Sequence, residues 1–276
     1  MANLSGKVEL AGLSDVGLHR SHNEDTIGSD PQLGLAVLAD GMGGYKAGEV
    51  ASAIAVNLIM EEIRQGAAQI GRSEIDDATG FCKETLLLKD AIEQANTTIH
   101  QTAKSQPQCK GMGTTVVSVL FYDDRMTVGH VGDSRLYRLR GDVFEQITVD
   151  HSLLQELVDK GFYTPEQARD SLNKNLVTRA VGVDADVKPD LQEEPVEPGD
   201  TFVLCSDGLS DLVADDDMHS TLKEYGNNLE EAASVLVNMA NENGGKDNIS
   251  VILARALKPF PASKGSWYSR LLGWLD

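Results

Sequence analysis

The sequence predicts an α+β fold in which antiparallel sheets are layered with helices. Segments of alternating polarity and short apolar runs predict strands, whereas apolar residues repeated every three or four positions predict helices. The two kinds of segment come in blocks, and the strict strand–helix alternation that favours a parallel sheet is not found. The chain has 276 residues, 41% of them hydrophobic and 24% charged, which suffices for one large globular domain or two small ones.

The first half of the chain predicts two strands, two amphipathic helices and then three successive strands. In chain order they cover residues 7–13 and 33–38, then 49–64 and about 85–103, and then 113–141. A turn at Asp123 and Asp124 interrupts the last group of strands.

The second half begins with a helical insertion over about residues 151–183, which we expect to form a surface flap. In its "TPEQ" segment, Thr164 is suited to the N-cap, Pro165 to the first helical position and Gln167 to the partner position of a capping box. Further strands and helices follow. They are predicted as a strand at 201–205, helices at about 215–225 and 228–242, and a strand at 248–256.

The chain is strongly acidic, with 43 aspartate and glutamate residues against 24 lysine and arginine residues and a net charge of -19. This balance argues against nucleic acid as the main partner, because a phosphate backbone requires compensating cations. A solvated surface is the usual reason for such an excess. Some of the acids could also converge on a divalent metal ion, and the two interpretations are compatible.

The sequence predicts a cytoplasmic protein with no transmembrane segment. No N-terminal stretch resembles a signal peptide, and no apolar run is long enough to span a bilayer. The three cysteines, Cys82, Cys109 and Cys205, show neither a C-x-x-C pair nor the spacing of zinc ligands. They are therefore expected to be reduced thiols.

Four aspartates lie at the edges of predicted strands: Asp40, Asp133, Asp207 and Asp247. A single aspartate in such a place is usually a turn or cap residue, but four from different strands weaken that explanation. Carboxylates gathered at one sheet edge repel one another unless a cation neutralises them. Oxygen ligands without histidine or cysteine favour magnesium or manganese. The glycine at position 41 would let a backbone carbonyl approach the ion.

The N-terminal segment "SDVGLHRSHNED" adds a cation beside further acids. Arg20 lies close in sequence to Glu24 and Asp25. It could form a surface ion pair or clamp a phosphate or carboxylate of a substrate. Together with acidic metal ligands, the second interpretation indicates metal-assisted hydrolysis of a phosphoryl ester.

Eight motifs, in order over about residues 8 to 256, resemble those of the metal-dependent serine/threonine protein phosphatases of type 2C, particularly their compact bacterial members. They read "SDVGLHRSHNED", "LADGMGGYKAGEVAS", "GMGTTVV", "HVGDSRLYRLRG", "DHSLLQ", "LVTRAVG", "LCSDGLSDLV" and "GGKDNISVILA". Any one of them is a weak signal, whereas eight in register are specific.

The resemblance implies a central β-sandwich of two antiparallel sheets flanked by pairs of helices, with a two-metal centre at one edge. Asp40 would bridge the two metals, and the Gly41 carbonyl would bind one of them. Asp207 and Asp247 would complete the ligands of the other, and Asp133 would form a third site with Asp207. Two or three Mn²⁺ or Mg²⁺ ions are therefore expected.

The resemblance also assigns residues around the metals. Arg20 would bind the substrate phosphate, and Glu24 would hold a water of the metal centre. Asp25 would support the site structurally. Residues 151–183 match the flap of such enzymes. The catalytic residues are thus expected to be Arg20, Glu24 and Asp40.

Catalysis would then use a water activated by two divalent ions, with no phosphoenzyme and no cysteine nucleophile. One position departs from many members of the family. Met42 stands where they have a histidine proposed to protonate the leaving group, and methionine cannot donate a proton. His19, His22, His130 and His151 are nearby in the motifs, and structural roles are expected for them.

Three functions follow from these residues. The leading one is hydrolysis of phosphoserine and phosphothreonine in proteins, opposing a serine/threonine kinase. The others are a binding module that has lost catalysis and a hydrolase of small phosphoesters. Intact Arg20, Asp40, Asp207 and Asp247 argue against the binding module. A monomer is expected.

We expect one catalytic domain over residues 1–257 and a separate tail over 258–276. The tail begins after Leu257 and contains both tryptophans of the chain, Trp267 and Trp274. On a helix it would have an apolar face. That face could pack on the domain, dock to a partner protein or contact a membrane surface.

Overall fold

The computed structural model describes residues 4–44, 47–70, 74–164, 167 and 176–259. Within that part of the chain, eleven strands form two antiparallel sheets. The strands are β1 (Val8–Asp15), β2 (Asp25–Asp30), β3 (Leu35–Met42), β4 (Gly113–Thr114), β5 (Val116–Tyr122), β6 (Arg125–Val131), β7 (Arg135–Arg140), β8 (Val143–Gln146), β9 (Asp190–Pro195), β10 (Thr201–Cys205) and β11 (Ile249–Ala256). The first sheet has the order β1-β11-β10-β7-β8. The second has the order β2-β3-β5-β6-β9, with β4 paired to β3.

Helices cover the outer face of each sheet. In the described part of the chain they are α1 (Ala47–Gly66), α2 (Lys83–Ser105), α3 (Leu153–Asp159), α4 (Asp207–Ser210), α5 (Asp215–Tyr225) and α6 (Leu229–Glu242), with one 3₁₀ turn at Pro107–Cys109. The pair α1 and α2 packs on the second sheet, and the pair α5 and α6 packs on the first. Of these helices, none combines the length and the apolar character needed to cross a membrane.

The central apolar layer lies between the two sheets. Leu38, Phe121 and Phe202 are buried there, and the two phenylalanine rings meet edge to face with centroids 5.6 Å apart. The alternate residues of β3, including Leu35 and Val37, face the helices instead and are equally buried. Because both faces of β3 are covered, its sequence is a continuous apolar run rather than an alternating one. This four-layer arrangement confirms the predicted α+β sandwich.

The predicted helices and the central strands agree with the structure, with one correction at β3. The apolar run at 33–38 predicts a strand that ends before Asp40. The strand instead continues to Met42, because Gly41 pairs with Thr114 and Met42 with Gly113. Asp40 therefore lies within the ladder and opposite a partner strand, rather than after the end of its strand.

Three strands have no counterpart in the sequence-based prediction: β2, β8 and β9. All three are edge strands of their sheets. Their sequences, "DTIGSD", "VFEQ" and "DLQEEP", lack an apolar run because edge strands are only partly covered. Hydrophobic patterning alone cannot detect strands of this kind.

The described ends of the predicted flap are tied together by backbone bonds. Ser152 forms a bridge with Val177, and Leu153 N–H donates to the carbonyl of Leu176 at 2.9 Å. The capping box is also present, since Thr164 N–H donates to Gln167 Oε1 at 2.9 Å and Gln167 N–H donates to Thr164 Oγ1 at 3.3 Å. Residues 165–166 and 168–175 of the flap, and 260–276 of the tail, lie outside the described residues.

Asn96 on α2 fixes the end of the flap and the residues that follow it. Its Oδ1 accepts from Gly182 N–H at 2.6 Å, and its Nδ2 donates to the carbonyls of Asp184 and Ala185 at 3.1 Å each. The side chain is almost fully buried. It therefore provides hydrogen-bond partners for backbone groups that would otherwise be buried without one.

Replacing Asn96 by Ala is expected to lower the free energy of unfolding by about 2–4 kcal/mol, because several backbone groups lose their partner at once. Urea denaturation followed by circular dichroism measures the change. Gln101→Ala, at an exposed position of the same helix, is the control and should change stability by less than about 0.5 kcal/mol. Equal stabilities of the two variants would contradict this role for Asn96.

Candidate functional site

The predicted acidic residues converge at one edge of the sandwich, where strands of both sheets end. Asp40 on β3 faces Asp25 on β2 in the antiparallel register. Asp133 lies between β6 and β7, Asp207 begins α4 one residue after the end of β10, and Asp247 lies just before β11. Each loop or strand end thus contributes one carboxylate from a different part of the sequence.

Asp25 links the two sheets at this edge. Ser206 Oγ, at the end of β10, donates to Asp25 Oδ2 at 3.0 Å and accepts from Ser250 N–H of β11 at 3.0 Å. The other oxygen, Asp25 Oδ1, is buried and has no hydrogen-bond partner among the described residues. Burial raises the pKa of Asp25 to about 6. One carboxylate oxygen of Asp25 is thus left for a cation or a proton.

The central carboxylates are crowded. Desolvation raises the pKa of Asp40 and of Asp207 well above their ordinary values, and neighbouring carboxylates add to both shifts. For Asp40 the neighbours are Asp25, Asp207, Asp133 and Asp247, and for Asp207 they are Asp133, Asp247, Asp211 and Asp25. Burial likewise raises the pKa of Asp133 to about 6. The charged forms of these groups destabilise one another, and a cation would relieve that repulsion.

Two glycines allow the backbone to pass close to the acids. A Cβ at Gly41 would lie 2.2 Å from the carbonyl oxygen of Gly48 and 2.5 Å from that of Glu24. A Cβ at Gly208 would lie 2.0 Å from the carbonyl oxygen of Asn248. These three distances exclude any side chain at either position. The glycine of each Asp-Gly pair is therefore required by close backbone packing at this edge.

Arg20 lies beside Asp247. Its guanidinium donates to Asp247 Oδ2 at 2.7 Å, and the Arg20 side chain is 51% exposed. Glu24, at the end of the same loop, has a pKa raised mainly by desolvation, with Asp247 adding to the shift and Arg20 opposing it. The loop between β1 and β2 thus places one exposed cation and one further carboxyl at the rim of the site.

Asn248 holds this loop, although it is not among the site residues expected from the sequence. Its Nδ2 donates to the carbonyls of Val16 and His22 at 3.0 and 2.9 Å, and its Oδ1 accepts from Glu24 N–H at 2.8 Å. Asn248 is buried. Only its position directly after Asp247 in the motif "GGKDN" could have indicated its importance.

The histidines near the motifs fall into two groups. His130 and His151 are buried with ring centroids 4.7 Å apart, and burial lowers both pKa values, that of His130 to about 3. His151 Nδ1 accepts from Gly132 N–H at 3.0 Å, which supports the loop that carries Asp133. Both rings are therefore neutral and fit a structural role. His19 and His22 are exposed in the loop of Arg20.

The cysteines do not provide a nucleophile. All three are free and buried. Burial raises the pKa of the Cys82 thiol to about 11 and that of Cys205 to about 12. A thiol in such a setting stays protonated and is a poor nucleophile.

The donor set fits a hard divalent cation. It consists of carboxylates, one with an unpartnered buried oxygen, and backbone groups that approach closely at glycines. As the side chains stand, no three histidine, cysteine, aspartate or glutamate residues among those described are arranged to hold an ion. Asp247 is engaged with Arg20 in this arrangement, so that its oxygen would have to exchange partners to coordinate a metal.

Residues 19–242 match the family Protein phosphatase 2C. The chain belongs to the protein phosphatase 2C family. A serine/threonine phosphatase Stp of Listeria innocua is 39% identical over 243 residues, which are 87% of this chain and 92% of that protein. The crystal structure of the Mycobacterium tuberculosis phosphatase PstP has a TM-score of 0.81 at 35% identity, over 91% of this chain and 99% of that one. A structure of the PstP catalytic domain in complex with two manganese ions has a TM-score of 0.77 at 34% identity, with the same coverage.

For this protein phosphatase 2C family member, Asp133→Asn is expected to stabilise the protein in EDTA at pH 7.5 by about 1–3 kcal/mol. The folded-state pKa of about 6 lies above the unfolded value, so the charged carboxyl destabilises the fold above pH 6. That destabilisation fades as the pH falls toward 4. Urea denaturation at pH 7.5 and pH 5 should show the gain shrinking by about half at the lower pH.

The exposed Asp216→Asn serves as the control for this measurement. Because Asp216 lies in the first turn of α5, its loss should lower stability by at most about 1 kcal/mol, and by the same amount at both pH values. A destabilised Asp133→Asn protein in EDTA would contradict the crowding of carboxylates at this edge.

Proposed function

We propose that the chain hydrolyses phosphoserine and phosphothreonine in proteins and thereby reverses phosphorylation by a serine/threonine kinase. The convergence of Asp40, Asp133, Asp207 and Asp247 beside Arg20 at one edge of the sandwich carries the proposal. Family membership supports the activity, as do the relatives named serine/threonine phosphatases. We further propose that residues 1–257 act as one catalytic domain, as a monomer in the cytoplasm.

We propose that divalent metal ions, Mn²⁺ or Mg²⁺, occupy this edge. Asp40 and the Gly41 carbonyl would hold one ion, and Asp40, Asp207 and Asp247 the other. Asp133 and Asp207 offer a third position. The two manganese ions bound to the PstP catalytic domain support this number for the main centre. When bound, the ions would lower the pKa of water and neutralise charge on the phosphoryl group.

The chain's own residues bind and orient the reactants. Arg20, which is half exposed, would leave Asp247 and donate two parallel N–H bonds to the phosphate. Glu24 would accept a hydrogen bond from the attacking water. Its raised pKa makes its carboxylate a stronger proton acceptor than an ordinary glutamate. Asp25 and Ser206 hold the two sheets in register beneath Asp40. Met42 donates no proton, so that the proton for the leaving alkoxide would come from water or from another group.

Asp40→Asn and Asp207→Asn should each reduce Mn²⁺-dependent phosphate release from a phosphothreonine peptide by at least about 100-fold, because each removes a charged ligand. The rise in melting temperature that Mn²⁺ gives the wild type should also be lost. Asp216→Asn is the control and should retain both. Full activity of either site variant would contradict the assignment. Wild-type turnover of small phosphoesters only, or of no substrate, would favour one of the alternative functions.

Arg20→Ala should lower kcat/KM for the same peptide by about 100-fold, since a bidentate, charge-assisted contact to the phosphate is lost. Arg20→Lys should recover only part of this, because an ammonium group cannot form the paired contact. Steady-state kinetics with saturating Mn²⁺ measures both. Arg64→Ala, at an arginine that is also 51% exposed and ion-paired, should leave the kinetics unchanged. An equal loss in that variant would contradict a specific role for Arg20.

A further inference from the structure

A groove lies at the C-terminal end of α2, next to the candidate site. It has a volume of about 550 Å³, within the usual range of ligand pockets. We name it the α2-end groove. Its rim carries Lys104 and Lys110, and its apolar lining includes Ala103, Pro107, Met112 and Val183.

The α2-end groove adjoins the carboxylate edge through β4. Met112 lines the groove and precedes Gly113, which pairs with Met42, while Thr114 pairs with Gly41. Two residues of extended chain span roughly 7 Å. An extended peptide with its phosphorylated side chain at Asp40 would therefore reach the groove with residues only a few positions away, at about 3.3–3.6 Å per residue.

The lining of the groove contains lysines and no carboxylate, whereas the protein as a whole is acidic. Residues 95–122 contain no aspartate or glutamate, although the chain has 43 of them and a net charge of -19. Lys104 and Lys110 are exposed, and neither pairs with a carboxylate among the described residues. Two unpaired ammonium groups thus border an apolar surface beside the site.

The wall of the groove is held in place before any ligand binds. Gly182 is fixed to α2 from both sides, because its N–H donates to Asn96 Oδ1 at 2.6 Å and its carbonyl lies 3.2 Å from His100 Nδ1. Val183, the next residue, is 52% exposed and lines the groove. A preformed wall reduces the entropy lost on binding. The exposed Val183 is therefore a rigid apolar contact rather than part of a mobile loop.

The helix end itself opposes an anion, but only weakly. The last carbonyls of α2 carry about half a negative charge in total, and some are already bonded, as in the 2.9 Å contact from Gln106 N–H to Thr102 O. Two full positive charges on Lys104 and Lys110 outweigh this partial charge. The lining of the groove thus carries two lysines and no carboxylate, although Asp184 follows Val183 directly.

We propose that the α2-end groove binds an acidic segment of the substrate protein close to the phosphorylated residue, and so selects substrates. Carboxylates of this segment would pair with Lys104 and Lys110, while an apolar side chain of the substrate packs on Met112 and Val183. This inference rests on the proposed phosphatase function and names the substrate class of the same site. It also accounts for how an acidic enzyme overcomes its repulsion of an acidic phosphopeptide.

The test compares phosphothreonine peptides that carry glutamates two to four residues before the phosphothreonine, after it, or at neither position. p-Nitrophenyl phosphate, which is too small to reach the groove, is the reference substrate. With Mn²⁺ present, the wild type should prefer one of the acidic peptides by about fivefold in kcat/KM, mainly through KM, as expected for two exposed ion pairs. Lys104→Ala/Lys110→Ala should lose most of this preference and keep its rate on p-nitrophenyl phosphate.

Lys223→Ala removes one charge at a lysine paired with Asp142 and is the matched control, so it should keep the preference. Lys104→Glu/Lys110→Glu should reverse the preference toward peptides with lysine at these positions. High salt should reduce the wild-type preference. Wild-type turnover of all peptides without preference, or a preference kept by the double alanine variant, would overturn the proposed role of the groove and leave the phosphatase function standing. Absence of turnover on every substrate, p-nitrophenyl phosphate included, would overturn the proposed function and, with it, the proposed role of the groove.

Discussion

Repulsion among carboxylates at the shared edge of two sheets is the constraint on which the rest of the structure depends. Asp25 and Asp40 face each other across β2 and β3, and Asp207 enters from the other sheet. Such charges stay together only on a rigid support. The support consists of three apolar layers and of Ser206, which bonds Asp25 and the backbone of β11. The fold thus stores electrostatic strain at the place where a cation can release it.

The same edge explains the distribution of glycine and asparagine. Gly41 and Gly208 permit backbone approaches that no side chain would allow, so the acids can stand on neighbouring chains. Asn248 then replaces regular ladder bonds with three side-chain bonds to the loop of Arg20. The loop can remain irregular and exposed while its rim residues keep their position. Rigidity at the carboxylates is therefore compatible with an arginine that can change partners.

The sequence predicts best the parts of the protein that are defined by burial. The helices α1, α2, α5 and α6 have apolar stripes that face a sheet, and the central strands have apolar runs, so pattern reading finds them nearly to the residue. The aspartates of the site are visible because four of them, at the edges of different predicted strands, are more than turns and caps explain. The edge strands β2, β8 and β9 are polar and take their conformation from a neighbour, which no local pattern records. For the same reason the pairing of Arg20 with Asp247 and the anchoring by Asn248 need the tertiary structure.

Met42 shows how strand pairing can indicate a role that the chemistry of a side chain alone does not. By residue type it can only be described as lacking a proton to donate. In the structure it is paired with Gly113, and a Cβ at Gly113 would lie 3.5 Å from Met42 Cε and 2.8 Å from Val183 Cγ2. The Met42 side chain therefore lies beside Gly113, as does Val183 of the α2-end groove. A polar, protonated ring there would add a charge between the carboxylates and the proposed substrate contacts at Lys104 and Lys110, whereas methionine adds none.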